Sequence, residues 1–385
     1  MESLERRIRR LVESLPDISN CFGGRFAGRT VLVTGHTGFK GSWLCLWLKA
    51  LGARVVGYSL PAPTDPNHFQ LLNLDVESHL GDVRDLESLT SVFKSVCPEL
   101  VLHLAAQPLV RLSYDQPVET FTSNVTGTVN VLQAARAVDC VRAIVCVTSD
   151  KVYENVESEI GYCETDRLGG ADPYSCSKAC AELIVKSYRE SFFSMKHYGI
   201  KHETLIATAR AGNVFGGGDW ALDRLVPDAV RAAVARETVA IRNPHSVRPW
   251  QHVLEPLAGY LLLSERLVDG QKDFAREWNF GPGAEANVSV GSIVNVMQNA
   301  WPSVTFHSPE IANQQGPHET NMLKLDSTLA RESLNWLPVW DWQQSVRKTT
   351  QWYQRFYDSN VANSQDDLNQ YVRDAESLGL EWAVQ

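Results

Sequence analysis

Short unbroken apolar runs alternate with stretches whose apolar residues recur every three or four positions through the first half of the chain. The runs predict strands buried on both faces, and the spaced stretches predict amphipathic helices. Thr30-Val31-Leu32-Val33-Thr34 is such a run and leads into Gly35. Residues 40–51 then read as a helix and 54–58 as a second strand. A helix over 86–96 precedes a strand at 100–104, and a long helix over 119–137 precedes 141–148, the most strongly β-like run of the chain. Pro173 suits the first turn of another long helix over 174–198, and 201–209 supplies a further strand. This alternation specifies an α/β fold with a doubly wound parallel sheet.

The rhythm changes after about Gly212, where Gly216-Gly217-Gly218 and Pro227 interrupt it. Short strands at 238–242 and 278–281 mix with helical spacing over 253–267, 290–301, 327–336 and 342–357. We therefore expect one large domain over 26–212 and a smaller C-terminal α/β lobe over 213–357. The boundary is soft, because strands of the first domain can recur beyond it. Residues 358–385 read as a polar tail with a last helix near 368–378. Residues 1–25 read as an N-terminal extension in which Leu4, Ile8, Leu11, Val12 and Leu15 share one helical face. A surface position is expected for it, with self-association as the second reading. No internal repeat is visible.

Composition narrows the function classes. With 44% hydrophobic and 21% charged residues, the chain has an ordinary globular make-up and not a disordered one. Its 36 basic and 45 acidic side chains give a net charge of −9, which argues against a nucleic-acid partner, since backbone binding needs a basic face. No run approaches the ~18 apolar residues of a membrane span, and residues 1–16 lack the apolar core of a secretory signal. A cytoplasmic protein away from membranes is expected. The eight cysteines, at 21, 45, 97, 140, 146, 163, 176 and 180, include no Cys-x-x-Cys pair. They read as buried free thiols, not as a disulfide framework or a metal site.

Gly35-His36-Thr37-Gly38-Phe39-Lys40-Gly41 follows the first strand and opens a helix. Glycines at this spacing let the backbone approach a pyrophosphate, and the helix N-terminus offers unpaired N–H groups. A tight turn without a ligand is the plainer reading of such a motif, but the βαβ setting favours a dinucleotide. An acidic residue is expected where the second strand ends, to hold an adenosine ribose. Tyr58-Ser59 stands there instead, and no Arg follows to suit a 2′-phosphate. These residues therefore do not separate NAD from NADP. Ser59 is placed near the adenosine, Asp82 and Val83 at the adenine edge, and Leu104, Ala105, Ala106 and Gln107 beside the pyrophosphate and ribose. Lys40 either touches a phosphate or sits solvated in the first helical turn.

Tyr174 and Lys178 lie one helical turn apart and so share a face. A phenol titrating near 10 is a poor base at neutral pH, but a nearby ammonium and a nicotinamide cation would lower it. The spacing alone is common by chance. Behind a glycine-rich turn and a strand ending in Thr148-Ser149, it describes a centre for moving hydride to and from a nicotinamide, with Ser149 sharing the substrate hydroxyl. Asp150 and Lys151 add an acid and an amine that simple oxidation does not need. Oxidising a sugar at C4 acidifies its C5 proton and sets the C6 hydroxyl β to a carbonyl. Asp150 then suits the acid that releases water from C6, provided burial raises its pKa above ~4. Lys151 suits the C5 base if its pKa falls toward roughly 7–8, and otherwise stabilises the enolate. A surface Asp-Lys pair is the plain alternative.

These blocks resemble the extended short-chain dehydrogenase/reductases, the NAD-dependent epimerases and dehydratases of nucleotide-sugars, and most closely the branch acting on CDP-sugars. The matching segments are Val33 to Leu44, Thr148 to Lys151, Tyr174-Ser175-Cys176-Ser177-Lys178, Arg210 to Trp220, and Arg248-Pro249-Trp250-Gln251-His252-Val253. The resemblance spans about 26–357. It implies a Rossmann-type dinucleotide domain, NAD retained and reused within a turnover, and 4,6-dehydration of CDP-glucose. It also implies a bacterial pathway to deoxyhexoses of surface polysaccharide such as lipopolysaccharide O-antigen. A homodimer or homotetramer, joined through the helices at 119–137 and 174–198, is implied as well. Asn213 and Arg248 match positions that hold the nucleotide diphosphate, and Arg224 is added to them because a guanidinium fork fits phosphate. Trp220 reads as a core residue, with stacking on cytosine as the second reading. Related dTDP-glucose dehydratases carry Asp-Glu where Asp150-Lys151 stands, which leaves the C5 base open. The rival functions are a nucleotide-sugar 4-epimerase, a dehydratase for another nucleotide, and a dinucleotide sensor without catalysis.

Overall fold

The computed structural model describes residues 18–241, 243–308 and 322–384. The helical face at 4–15, and Arg242 at the end of the strand expected over 238–242, lie outside them. Six strands, β1 (Thr30–Thr34), β2 (Arg54–Ser59), β3 (Glu77–Leu80), β4 (Leu100–His103), β5 (Ala143–Val147) and β6 (Leu205–Ala211), run parallel in the order β3-β2-β1-β4-β5-β6. A seventh strand, Glu277–Phe280, pairs with β6 in parallel although it falls in the segment beyond 212.

Burial on both faces explains why these strands are apolar runs. Val31 and Val33 of β1 enter one core cluster and Leu32 the other, as side chains alternate along a strand. The helices Phe39–Ala50 and Leu254–Val268 fill the first cluster. Leu86–Val96, Gly127–Arg136 and Pro173–Ser191 cover the opposite face. β1 lies between β2 and β4, so the direction of winding reverses there and opens a crevice at the carboxyl ends of the strands.

Beyond β6, Asn213–Phe215, Val247–His252 and Asn287–Ser289 form a three-stranded sheet. Thr238–Ala240 pairs in parallel with Thr305–His307. The helices Leu225–Ala235, Val290–Ala300 and Trp342–Ser359 close around a cluster containing Trp220, Trp250, Trp352, Tyr353 and Phe356.

Four expectations change. The helix over 119–137 is three pieces, Pro117–Phe121, a π-helical turn Thr122–Thr126, and Gly127–Arg136. The helix expected to reach 198 ends at Ser191. Cys97 and Cys140 are not free thiols but form a disulfide, with Cα atoms 5.8 Å apart. Cys97 ends the helix Leu86–Val96, Cys140 precedes β5, and the pairing of β4 with β5 brings the two together. Cys21, Cys45 and Cys146 are the buried free thiols. Finally, the polar tail completes the core. Its helix Ser364–Ser377 buries Leu368, Tyr371, Val372 and Ala375, an i, i+3, i+4, i+7 stripe, and Trp382 stacks on Phe22 at 5.0 Å.

Candidate active site

The carboxyl ends of the strands and the smaller sheet enclose one cleft of about 1450 Å³. Its floor begins at Gly35, which holds φ +76° and would place a β-carbon 2.8 Å from the Ala105 backbone nitrogen. A β-carbon on Gly41 would lie 2.1 Å from the Gly35 carbonyl oxygen. Only glycines let the turn and helix approach this closely. Gly38 has no side chain to cap the helix Phe39–Ala50, so the first-turn N–H groups of that helix face the cleft without a cap. That is a cradle for a diphosphate.

At the end of β2 a hydroxyl pair replaces a carboxylate. Thr37 Oγ1 lies 2.8 Å from Ser59 Oγ and donates to the Leu60 carbonyl at 3.0 Å. Asp82 pairs with Arg84 at 2.5 Å, and that guanidinium holds its carboxyl below the usual range. Val83, Leu104, Ala105 and Ala106 line the cleft beside them. Gln107 is fixed by Asn124, whose Oδ1 accepts its N–H at 2.8 Å, and by Thr120 at 2.9 Å.

Ser149, Asp150, Tyr174 and Lys178 are all buried and all line this cleft, with Lys151 half-buried beside them. Asp172 caps the helix that carries Tyr174 and Lys178, accepting from the Ser175 N–H at 2.9 Å. The Ser149 hydroxyl donates to Asp150 Oδ1 at 3.0 Å, while Asp150 Oδ2 has no partner. Burial raises the Asp150 pKa, and Lys151, Ser149, Arg248 and Lys40 only partly offset it. Lys178 donates to the Val147 carbonyl at 3.2 Å, and burial lowers its pKa to about 8. Lys40, half-buried on the floor, is brought down to about 7 by desolvation and by the charges of Arg224 and Lys178.

Tyr174 runs against expectation. Burial pushes its phenol up to about 12, with a hydrogen bond shared with Ser149 as the main offset. The spacing to Lys178 does not lower it in the chain itself, because desolvation outweighs the neighbouring charges.

Across the cleft stand Asn213, Arg224 and Arg248. Arg224 pairs with Asp219 at 2.8 Å and Arg248 Nη1 donates to the Val247 carbonyl at 2.8 Å. Trp220 packs against Trp352, Tyr353 and Phe356 as a core residue. Sequence reasoning missed Asn124, whose Nδ2 donates to Ser177 Oγ at 2.8 Å and ties the π turn to the Tyr174 helix. It also missed Ser113, whose hydroxyl accepts the Tyr174 N–H at 3.2 Å. An isolated Asn or Ser within a helical pattern carries no signal of such a task. The Asp172-Pro173 pair was readable as a cap.

Among known proteins, CDP-glucose 4,6-dehydratase of Salmonella typhimurium is 48% identical over 328 residues, covering 85% of this chain and 90% of the relative. UDP-glucose 4-epimerase of Rhizobium leguminosarum is 26% identical over 337 residues, covering 85% and 98%. Two solved structures share the fold: epimerase Mth375 of Methanothermobacter thermautotrophicus and DesIV of Streptomyces venezuelae. The first has a TM-score of 0.75 at 23% identity, covering 89% of this chain and 96% of its own. DesIV, a dTDP-glucose 4,6-dehydratase solved with NAD and TYD bound, has a TM-score of 0.69 at 23% identity, covering 85% and 98%. A profile of the family described as GDP-mannose 4,6 dehydratase matches residues 32–349, so the chain, with its Rossmann-type sheet and glycine cradle, belongs to that family of nucleotide-sugar dehydratases and epimerases.

Proposed function

We propose that this chain is a hydro-lyase that converts CDP-glucose to CDP-4-keto-6-deoxyglucose and water with NAD as a catalytic cofactor. The observation that carries the reading is Asp150, a buried carboxyl in the cleft with one oxygen unpartnered and its pKa raised. A 4-epimerase needs proton transfer only at the C4 hydroxyl and leaves that group no task. Intact Ser149, Tyr174 and Lys178 likewise weigh against a sensor. The relative at 48% identity supports CDP-glucose as the substrate.

The chain fits the dinucleotide on its own geometry. Gly35, Gly38 and Gly41 leave room that a β-carbon would fill, and the uncapped helix start faces that room. Thr37, Phe39, Lys40, Ser59, Asp82, Val83, Leu104, Ala105, Ala106 and Gln107 complete the bed, with Tyr174 and Lys178 at its reactive end. When bound, NAD supplies a hydride acceptor for C4 and a donor for C6.

The side chains manage the protons. Tyr174, brought down by cationic groups bound beside it, takes the C4 hydroxyl proton, with Ser149 holding the same hydroxyl. Lys151 takes the C5 proton, and Asp150, kept protonated by burial, gives its proton to the C6 hydroxyl, which leaves as water. The C5 proton returns once C6 has received hydride, and exchange with solvent takes the proton held by Tyr174 and restores the one given by Asp150, so the only net change is loss of water. Asn213, Arg224 and Arg248 hold the nucleotide diphosphate, two guanidinium forks against its oxygens.

Among the described residues no helix is long and apolar enough to cross a membrane. We place the enzyme in the cytoplasm, supplying a deoxysugar for surface polysaccharide such as lipopolysaccharide O-antigen. It works as a homodimer or homotetramer joined through the helices Pro117–Phe121, Gly127–Arg136 and Pro173–Ser191, where Val118 and Leu183 are exposed. The test is incubation with NAD and a panel of nucleotide-glucoses, followed by the alkaline absorbance of a 4-keto-6-deoxy product. CDP-glucose is expected to give the strongest signal; strong turnover of dTDP- or UDP-glucose with none of CDP-glucose contradicts the assignment.

A further inference from the structure

Beneath the cleft lies an ion pair that none of these steps uses. Glu182 stands one turn beyond Lys178, and both it and Arg210 of β6 are almost completely buried. The Glu182 carboxylate accepts from Arg210 Nε at 3.0 Å and Nη2 at 2.9 Å, from Thr208 Oγ1 at 2.7 Å, and from Thr148 Oγ1. Arg210 Nη1 donates to the Tyr153 hydroxyl at 2.7 Å, and that hydroxyl donates to Asn279 Oδ1 at 2.7 Å.

Thr148 and Tyr153 bound the segment that carries Ser149, Asp150 and Lys151. Within that segment Lys151 N–H reaches Ser149 Oγ at 3.2 Å and Val152 N–H the Ser149 carbonyl at 3.4 Å, whereas at its ends Thr148 N–H meets the Ala209 carbonyl and Gly169 N–H the Val152 carbonyl, both at 2.9 Å. A short turn held so loosely from within takes its position from its ends. We propose that the Glu182–Arg210 pair is a positioning device for the acid turn, gripping Thr148 through the carboxylate and Tyr153 through the guanidinium. The proposal rests on the dehydratase reading above for what the turn does, but not for how it is held. A buried pair is weak evidence of stability, because desolvation offsets its attraction. A fully hydrogen-bonded one does rigidify its surroundings. Catalysis is sensitive to that rigidity, since a misplacement of about 1 Å costs roughly 10²-fold in rate.

Three conservative variants separate positioning from mere stability. Thr148→Val and Tyr153→Phe each release one end of the turn and leave the ion pair intact. Thr208→Val removes a donor from the same carboxylate on a strand residue away from the turn. All three are expected to lose similar thermal stability. Only Thr148→Val and Tyr153→Phe should slow product formation, by roughly 10- to 100-fold. The burst of nicotinamide reduction on mixing with CDP-glucose should slow less than product formation, because it uses Ser149 of the turn but not Asp150. A second readout needs no substrate: titration of the Asp150 carboxyl by carbon NMR. Lys151, Arg248 and Lys40 face it, with the phenols of Tyr174 and Tyr260, and all are retained in every variant. Release of either end should move the carboxyl toward the usual range, and Thr208→Val should not. Equal slowing in all three variants with an unmoved Asp150 titration overturns the proposal. A wild-type chain inactive on CDP-glucose instead defeats the functional reading, and the titration still decides the positioning.

Discussion

The Gly35 carbonyl oxygen stands 2.1 Å from where a β-carbon on Gly41 would lie. Such contact is impossible, so any side chain at 41 forces the turn and the helix Phe39–Ala50 apart. Gly41→Ala is expected to weaken NAD binding by more than about tenfold and to lower stability by about 1–3 kcal/mol, the cost of overpacking a fitted site. Calorimetric titration with NAD reads the first effect and denaturant unfolding the second. An unchanged affinity means that the diphosphate lies elsewhere.

Tyr174→Phe removes the only phenol proposed to accept the C4 hydroxyl proton. Reduction of the nicotinamide on mixing with CDP-glucose should fall by roughly 10²–10⁴-fold, the range for losing a general base. Stopped-flow absorbance near the reduced-nicotinamide band checks this, and a burst of wild-type size removes Tyr174 from its role.

Asp150→Asn should separate oxidation from elimination: the burst survives and the product does not form. In the wild-type chain the acid must keep its proton, and burial raises its pKa. The step that Asp150 serves should therefore fall as pH rises through that raised value. Lys151→Met should lose exchange of the C5 hydrogen with deuterated solvent, and undiminished exchange assigns the base to another group.

Glu255 links stability to pH. It is fully buried in the helix Leu254–Val268, and its carboxylate accepts from the Val339 and Trp340 N–H groups at 2.9 Å and from the Tyr371 hydroxyl at 2.7 Å. Desolvation outweighs these bonds and raises its pKa from 4.5 to about 7. The folded state thus holds a proton that the unfolded chain has released, so this group's contribution is present below pH 4.5 and is lost as pH rises to about 7. The loss is on the order of 3 kcal/mol. Unfolding free energies of wild type and Glu255→Gln between pH 4.5 and 8 should diverge with that sign; parallel curves contradict it.

Much of the fold was legible because a parallel sheet covered on both faces demands unbroken apolar strands, as Val31, Leu32 and Val33 show. The glycine turn and the Tyr174–Lys178 spacing were legible for a similar reason, since backbone approach and one helical turn are local geometry. Properties set by distant packing were not. The Tyr174 phenol depends on desolvation by groups far apart in sequence, and spacing to Lys178 says nothing of that. Cys97 meets Cys140 only because β4 lies beside β5. The C-terminal helix hides its stripe of Leu368, Tyr371, Val372 and Ala375 in a polar composition, so its docking on the core went unseen. The Glu182–Arg210 pair joins a helix to β6, a contact no local motif displays.

The central claim is that one hydrogen leaves C4 and comes to rest on C6 of the same sugar. CDP-glucose carrying deuterium at C4 tests it most directly, with the product examined by NMR. The expected result is deuterium at C6 with NAD present only in catalytic amount. Product whose C6 carries hydrogen from solvent or from added reduced cofactor, or recovery of a 4-epimer with deuterium still at C4, contradicts it.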